Sequence, residues 1–177
     1  MKYILSLLLL SLSFFATGQN VNKNILGLKV GGFSYPQGVS RSLERKYQQS
    51  AYTYQKSSSY AVLAKDIPFA GYIWDKLTVN ITSDYHIAEV ILLEVCEHQE
   101  SADMLFYDLS EKLEAKYGSP TINRINSKHW GEGTCVSIDR IEVPSSYDSS
   151  KSKYKVELSY YNEKYSAQLS SDIIDEL

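Results

Sequence analysis

The chain has 177 residues, 18 basic against 21 acidic side chains and 44% apolar content, enough for one good hydrophobic core. The net charge of −3 carries no basic block or stripe, which argues against nucleic acid and anionic membranes as main partners. Tyrosine is over-represented, at 15 residues, and gathers with lysine around Tyr47, Tyr52, Tyr54 and Tyr60 and again from Tyr154 to Tyr165.

Lys2, the apolar run from Ile4 to Phe15 broken only by serines, and Ala16-Thr-Gly18 have the form of a secretory signal peptide over residues 1–18. The run is about a dozen residues, short of the roughly 20 that span a bilayer as a helix. With no cysteine near the cut to carry a lipid, residues 19–177 are expected as a single periplasmic or secreted domain with no membrane span.

Ile25 to Val30 reads as a short strand or extended lead-in. Ser34-Tyr-Pro-Gln37 then has the spacing of a capping box, before a helical stripe of Val39, Leu43 and Tyr47 weakened by Gly38. Two segments, Tyr52 to Gln55 and Ser59 to Ala64, flank Lys56-Ser-Ser-Ser59 as a hairpin. From Phe69 to Ile81 the alternation predicts one strand, with Ile73, Leu77, Val79 and Ile81 on its buried face. Tyr72, Trp74, Lys76, Thr78 and Asn80 take the wetter face. After the turn residues Thr82 to Tyr85, the stretch His86 to Cys96 is apolar on both parities, as an interior strand is, and closes an antiparallel hairpin.

Ser101 opens a helix in which Leu105, Leu109, Leu113 and Tyr117 recur every four residues, ended by Gly118 and Pro120. A polar link, Thr121 to Lys128, leads to His129-Trp130. Thr134 to Val143 is a strand ended by Pro144, and Ser145 to Ser152 has the composition of a flexible loop. Tyr154, Val156, Leu158 and Tyr160 mark a one-sided strand, and Ser170 to Leu177 reads as a docked or frayed tail.

Val39-Ser-Arg-Ser-Leu-Glu-Arg-Lys-Tyr47 aligns with Leu109-Ser-Glu-Lys-Leu-Glu-Ala-Lys-Tyr117 at an offset of 70 residues. The fold expected is therefore α+β, two helices packed on one face of an antiparallel sheet. The offset points to a duplicated helix-then-β-meander unit with halves about 25–97 and 98–170. Chance likeness between two amphipathic helices is the alternative.

Few residues carry obvious chemistry. Of the three histidines, His86 lies three positions from Glu89 and so on the opposite face of a strand. Cys96 and His98 share a face, but no second Cys/His pair follows at ligand spacing, so no metal is expected. No phosphate loop, dinucleotide fingerprint or Gly-x-Ser-x-Gly elbow occurs, so neither cofactor nor catalytic residue is assigned. Cys96 and Cys135 either pair, closing a loop of about 40 residues worth roughly 4 kcal/mol, or pack as buried thiols. A thiol with His129 would make a small Cys-His hydrolase the alternative function. Tyr72, Trp74 and Lys76 are the binding residues expected if the wetter strand face is open, and a second layer covers them otherwise.

Gly27-Leu-Lys-Val30, Phe69-x-Gly71, Leu113-x-x-Lys-Tyr-Gly-Ser-Pro120, Trp130 and Val156-x-Leu-x-Tyr160 before a terminal Asp-Glu-Leu177 carry a resemblance over most of the chain. In that order they resemble small secreted proteins of unassigned function from Bacteroidetes. At fold level the pattern is similar to the α+β repeats of the β-lactamase-inhibitor-protein type and, more distantly, to outer-membrane assembly lipoproteins. These likenesses are of fold and transfer no function; the function expected is a non-catalytic binding module that recognises a protein or cell-envelope component through the aromatic strand face, or else a purely structural envelope protein. The resemblance supplies no catalytic residue.

Overall fold

The computed structural model describes residues 21–56, 59–64, 66–143 and 153–174. The expected signal peptide and the loop from Ser145 to Ser152 lie outside them. The fold is α+β with an antiparallel sheet, and the described residues hold three helices rather than two.

Two short ribbons stand apart from the main sheet: β1 (Asn24–Ile25) with β2 (Leu28–Lys29), and β5 (Ile67–Phe69) with β6 (Tyr72–Trp74). The other strands are β3 (Tyr52–Lys56), β4 (Ser59–Ala64), β7 (Lys76–Ile81), β8 (Ile87–Cys96), β9 (Ile122–Arg124), β10 (Ser127–Glu132), β11 (Thr134–Val143) and β12 (Lys153–Asn162). They form one eight-stranded sheet in the order β3-β4-β7-β8-β12-β11-β10-β9. Every pairing is antiparallel. The long strands β8 and β12 meet at its centre, Leu92 opposite Leu158 and Val90 opposite Tyr160.

Register explains the core. Leu77, Leu92, Leu158 and Ile138 are neighbours across four strands, and Val79, Val90, Tyr160, Val136 and Trp130 form the next row across five. All nine are buried. Helix α1 (Pro36–Tyr47) contacts β3 and β4, whereas α2 (Gln99–Tyr117) contacts β8, β10, β11 and β12. Val39 and Leu43 of α1 and Leu105, Phe106, Leu109 and Leu113 of α2 join those rows in one contiguous cluster. Each such side chain, taken fully out of water, contributes roughly 1.5–3 kcal/mol.

The expected single strand from Phe69 to Ile81 is two elements. Ala70 and Gly71 both take positive φ, 56° and 86°, the turn geometry of a two-residue hairpin, so Tyr72–Trp74 folds back on Ile67–Phe69. Asp75 then breaks the chain's alternation. Its carboxylate accepts the Val95 N–H at 2.8 Å, and its own N–H donates to Glu94 at 3.2 Å. The parity shifts there: Ile73 is 67% exposed and Trp74 0%, while Leu77, Val79 and Ile81 are buried as expected.

Neither expected cap is formed. Tyr35 is the N-cap of α1 and His98 that of α2, without side-chain cap bonds, so Ser34 and Ser101 do not serve. Gly118 does end α2, at φ 81°, its N–H bonded to the Glu114 carbonyl at 2.8 Å. Within the polar link Thr121 to Lys128, β9 and the start of β10 form a hairpin. A helix not expected from the sequence, α3 (Glu163–Ile174), begins directly after β12, takes in the first residues of the expected tail from Ser170, and packs on β4, β8 and β12. The Asn162 side chain accepts the Tyr165 N–H at 3.3 Å, an N-cap bond.

Candidate functional site

An exposed aromatic grouping lies where the segment before α1 meets the start of β8. Gly31 and Gly32 bring the chain against Ile87 through two backbone bonds of 2.8 and 3.0 Å. Phe33 then bridges His86, and the Ser34 N–H donates to the Tyr85 carbonyl at 2.7 Å. The facing turn is fixed by buried Thr82, whose hydroxyl accepts the His86 N–H at 3.0 Å. Tyr85 sits at φ 65°, a left-handed conformation uncommon for a bulky residue.

These contacts assemble Phe33, Tyr35 and Tyr85 into a triad. The Phe33 ring meets Tyr35 edge-on at 5.1 Å and Tyr85 at 6.0 Å, and Tyr35 tilts against Tyr85 at 4.9 Å. Behind them His86 stacks flat on Tyr165 of α3 at 4.3 Å. Asp84 pairs with His86 at 3.2 Å and accepts a bond from Gln168. The Thr82 hydroxyl, and then His86, hold the Asp84 carboxyl below its ordinary range. Phe33 remains 58% and Tyr35 55% exposed, beside a groove of about 350 Å³ floored by Leu28, Val39 and Ile87. Rings held in place this way offer contact area with little entropy left to lose.

The residues expected to bind are not one face. Trp74 is fully buried, its indole N–H donating to the Phe69 carbonyl at 3.1 Å, so it cannot line a contact surface. Tyr72 is half-buried: its hydroxyl donates to Asp108 and accepts from Lys112, which lies over its ring. Lys76 is exposed on the far side of the Asp75 break. The aromatic triad was missed because Phe33, Tyr35 and Tyr85 fall in loops, where periodicity is silent. The only local signals were the glycine pair and the neighbouring turn residues.

Cys96 and Cys135 are both free and buried, so the pairing expected as one alternative is absent. Cys96 lies opposite Tyr154 and Cys135 opposite Tyr161, seven positions apart along β12. That is about 23 Å at strand rise, far beyond the span of a disulfide. Burial first, then Glu163, pushes the Cys135 thiol up to about 11, and burial with Glu94 and Asp75 raises Cys96. His129 engages Tyr161 at 3.1 Å and Ser127 at 3.0 Å. Among the described residues no group of three His, Cys, Asp or Glu is placed to hold a metal ion. Ellman's reagent should therefore find two thiols in denatured protein and almost none within minutes in native protein at pH 8. Loss of both thiols in the denatured, unreduced chain would contradict this placement.

On the same sheet face as His129, Asp139 and Glu157 stand directly opposite each other across β11 and β12. Burial, then the Asp139 charge, raises the Glu157 carboxyl. A raised carboxyl favours folding below its unfolded pKa, and that stability is lost as pH rises through the folded value. Glu157→Gln should therefore stabilise the protein at pH 7, by roughly 0.2–1 kcal/mol for a directly opposed like-charge pair. The gain should vanish near pH 4, as read from urea midpoints at the two pH values.

No protein-family model matches the chain, and neither a curated protein nor a solved structure is similar to it. Among the described residues no helix is long and apolar enough to cross a membrane.

Proposed function

We propose that the chain is a non-catalytic secreted or periplasmic binding module that recognises a protein or cell-envelope component through Phe33, Tyr35 and Tyr85. The observation that carries this reading is the exposure of Phe33 and Tyr35 in a cluster braced by backbone bonds on both sides. Large aromatics left in water without a packing role in the core are typical of contact surfaces. The leader-like residues 1–18 and the resemblance to small secreted proteins support the location. The hydrolase alternative is disfavoured because the nearest thiol to His129 on that face is held protonated at neutral pH and is screened by Tyr161 and Glu163.

The reading extends to the architecture, a single domain made of two halves with both major helices on one sheet face. One half is α1 with β3, β4, β7 and β8, and the other α2 with β9 to β12. Several observations support duplication. The sheet order is mirrored about the β8–β12 junction, and β3 and β9 begin 70 residues apart, the same offset as the helices. The matched Ser40 and Ser110, unusual residues to bury on a helix, are both buried, as are Leu43 and Leu113.

The test is sedimentation of the purified protein with native envelope membranes and with the secreted fraction, beside the Phe33→Ala/Tyr35→Ala variant. Saturable binding weakened about 30-fold or more in the variant is the expected result, the effect of truncating central aromatic anchors. Equal binding by a variant with unchanged circular dichroism, or no saturable binding by either protein, would overturn it.

A further inference from the structure

At the opposite end of β8, about 30 Å along the strand from the aromatic triad, lies a second concavity. It is a cleft of about 490 Å³ between the β5–β6 ribbon, the end of β8 and the first half of α2, within the size range of ligand sites. Its lining is mainly apolar. Leu105 and Cys96 form a buried floor, and Met104, 74% exposed, forms a lip.

Its carboxylates are of two kinds. Asp108 is already satisfied, by Lys112 at 2.7 Å and by the Tyr72 hydroxyl. Glu94 is not. It lies against Asp75, joined to it through the Asp75 N–H at 3.2 Å, and no lysine, arginine or histidine among the described residues pairs with either. Partial burial and the Asp75 charge both work against the ionised Glu94 carboxylate. An incoming cation would relieve that repulsion, and an apolar stem behind it would cover Leu105 and Met104.

We propose that this cleft receives an arginine or lysine side chain presented by a partner protein, its charged head against Glu94 and Asp75 and its aliphatic stem along Leu105 and Met104. The volume leaves room for a neighbouring apolar residue of the same segment. The site is independent of the aromatic triad.

Met104 is the only methionine besides the initiator, so one methyl resonance reports on the cleft. With methyl-labelled methionine, the blocked tripeptide acetyl-Leu-Arg-Leu-amide should shift that resonance saturably, with a Kd in the millimolar range or below. The same peptide with citrulline, neutral and nearly isosteric, should bind about tenfold more weakly, and Glu94→Gln should cost the arginine peptide about the same factor. The Phe33→Ala/Tyr35→Ala variant should titrate like the unaltered protein, which separates this site from the proposed function. No shift, or equal shifts from the arginine and citrulline peptides, would overturn the proposal. So would spermidine or calcium matching the arginine peptide, since the cleft would then be a site for small free cations.

Discussion

Gly131→Ala is expected to destabilise the protein by about 2–5 kcal/mol, enough to unfold much of it under conditions where the unaltered chain is folded. Gly131, the penultimate residue of β10, sits at φ 93°, where a side chain is strained whatever the space around it. A Cβ there would lie 2.5 Å from a Val21 methyl and 2.7 Å from the Thr134 carbonyl oxygen. Val21 can swing aside. The Thr134 carbonyl belongs to the backbone of β11, opposite Glu132 in the ladder, and cannot move without disturbing the β10–β11 hairpin. Gly133→Ala supplies the control: it has a similar φ of 70° but nothing within 4 Å of its Cβ, so only the backbone term of about 1–2 kcal/mol applies. Urea unfolding of the two variants side by side measures the clash as their difference. Equal midpoints would show that the close approach of Gly131 to Thr134 is wrong.

Trp130→Ala should cost about 3–5 kcal/mol. The indole is fully buried at the end of the row formed by Val79, Val90, Tyr160 and Val136, and its N–H donates to the Gly118 carbonyl at 2.8 Å. It therefore joins the outer part of the sheet to the C-terminus of α2. Trp130→Phe keeps most of the volume and removes the donor, leaving the Gly118 carbonyl unpaired for about 1–3 kcal/mol. A tryptophan variant as stable as the parent in denaturant would contradict both the packing row and the cap contact.

Legibility in the sequence followed the strength of periodic signals. The helix stripe from Leu105 to Tyr117 and the alternation of Leu77, Val79 and Ile81 give the core directly, because burying an apolar face imposes the period of the element that carries it. The signal failed where polar chemistry overrides the period. Asp75 replaces ladder contacts with its carboxylate and moves Trp74 from the wet face into the core. Over residues 163–171 of helix α3 only Leu169 is buried, too thin a stripe to read, and the start of the helix is marked by a cap bond, Asn162 to the Tyr165 N–H, that only the fold reveals. Whether the two cysteines pair or pack as buried thiols is open in the sequence, because their separation depends on strand order: they sit at opposite ends of β12's neighbours. The aromatic triad is assembled from two loops distant in sequence, and such a site exists only once Phe33 pairs with His86.

The most direct test of the proposed function is photocrosslinking in the cells that make the protein. A benzophenone side chain would replace Tyr35, with a second substitution at Ile125, an exposed residue in the turn between β9 and β10, as the reference. A discrete adduct is expected from position 35, none from position 125, and the first should be lost when Phe33→Ala is added. Adducts of equal yield from both positions, or none from position 35, would contradict recognition through the aromatic triad.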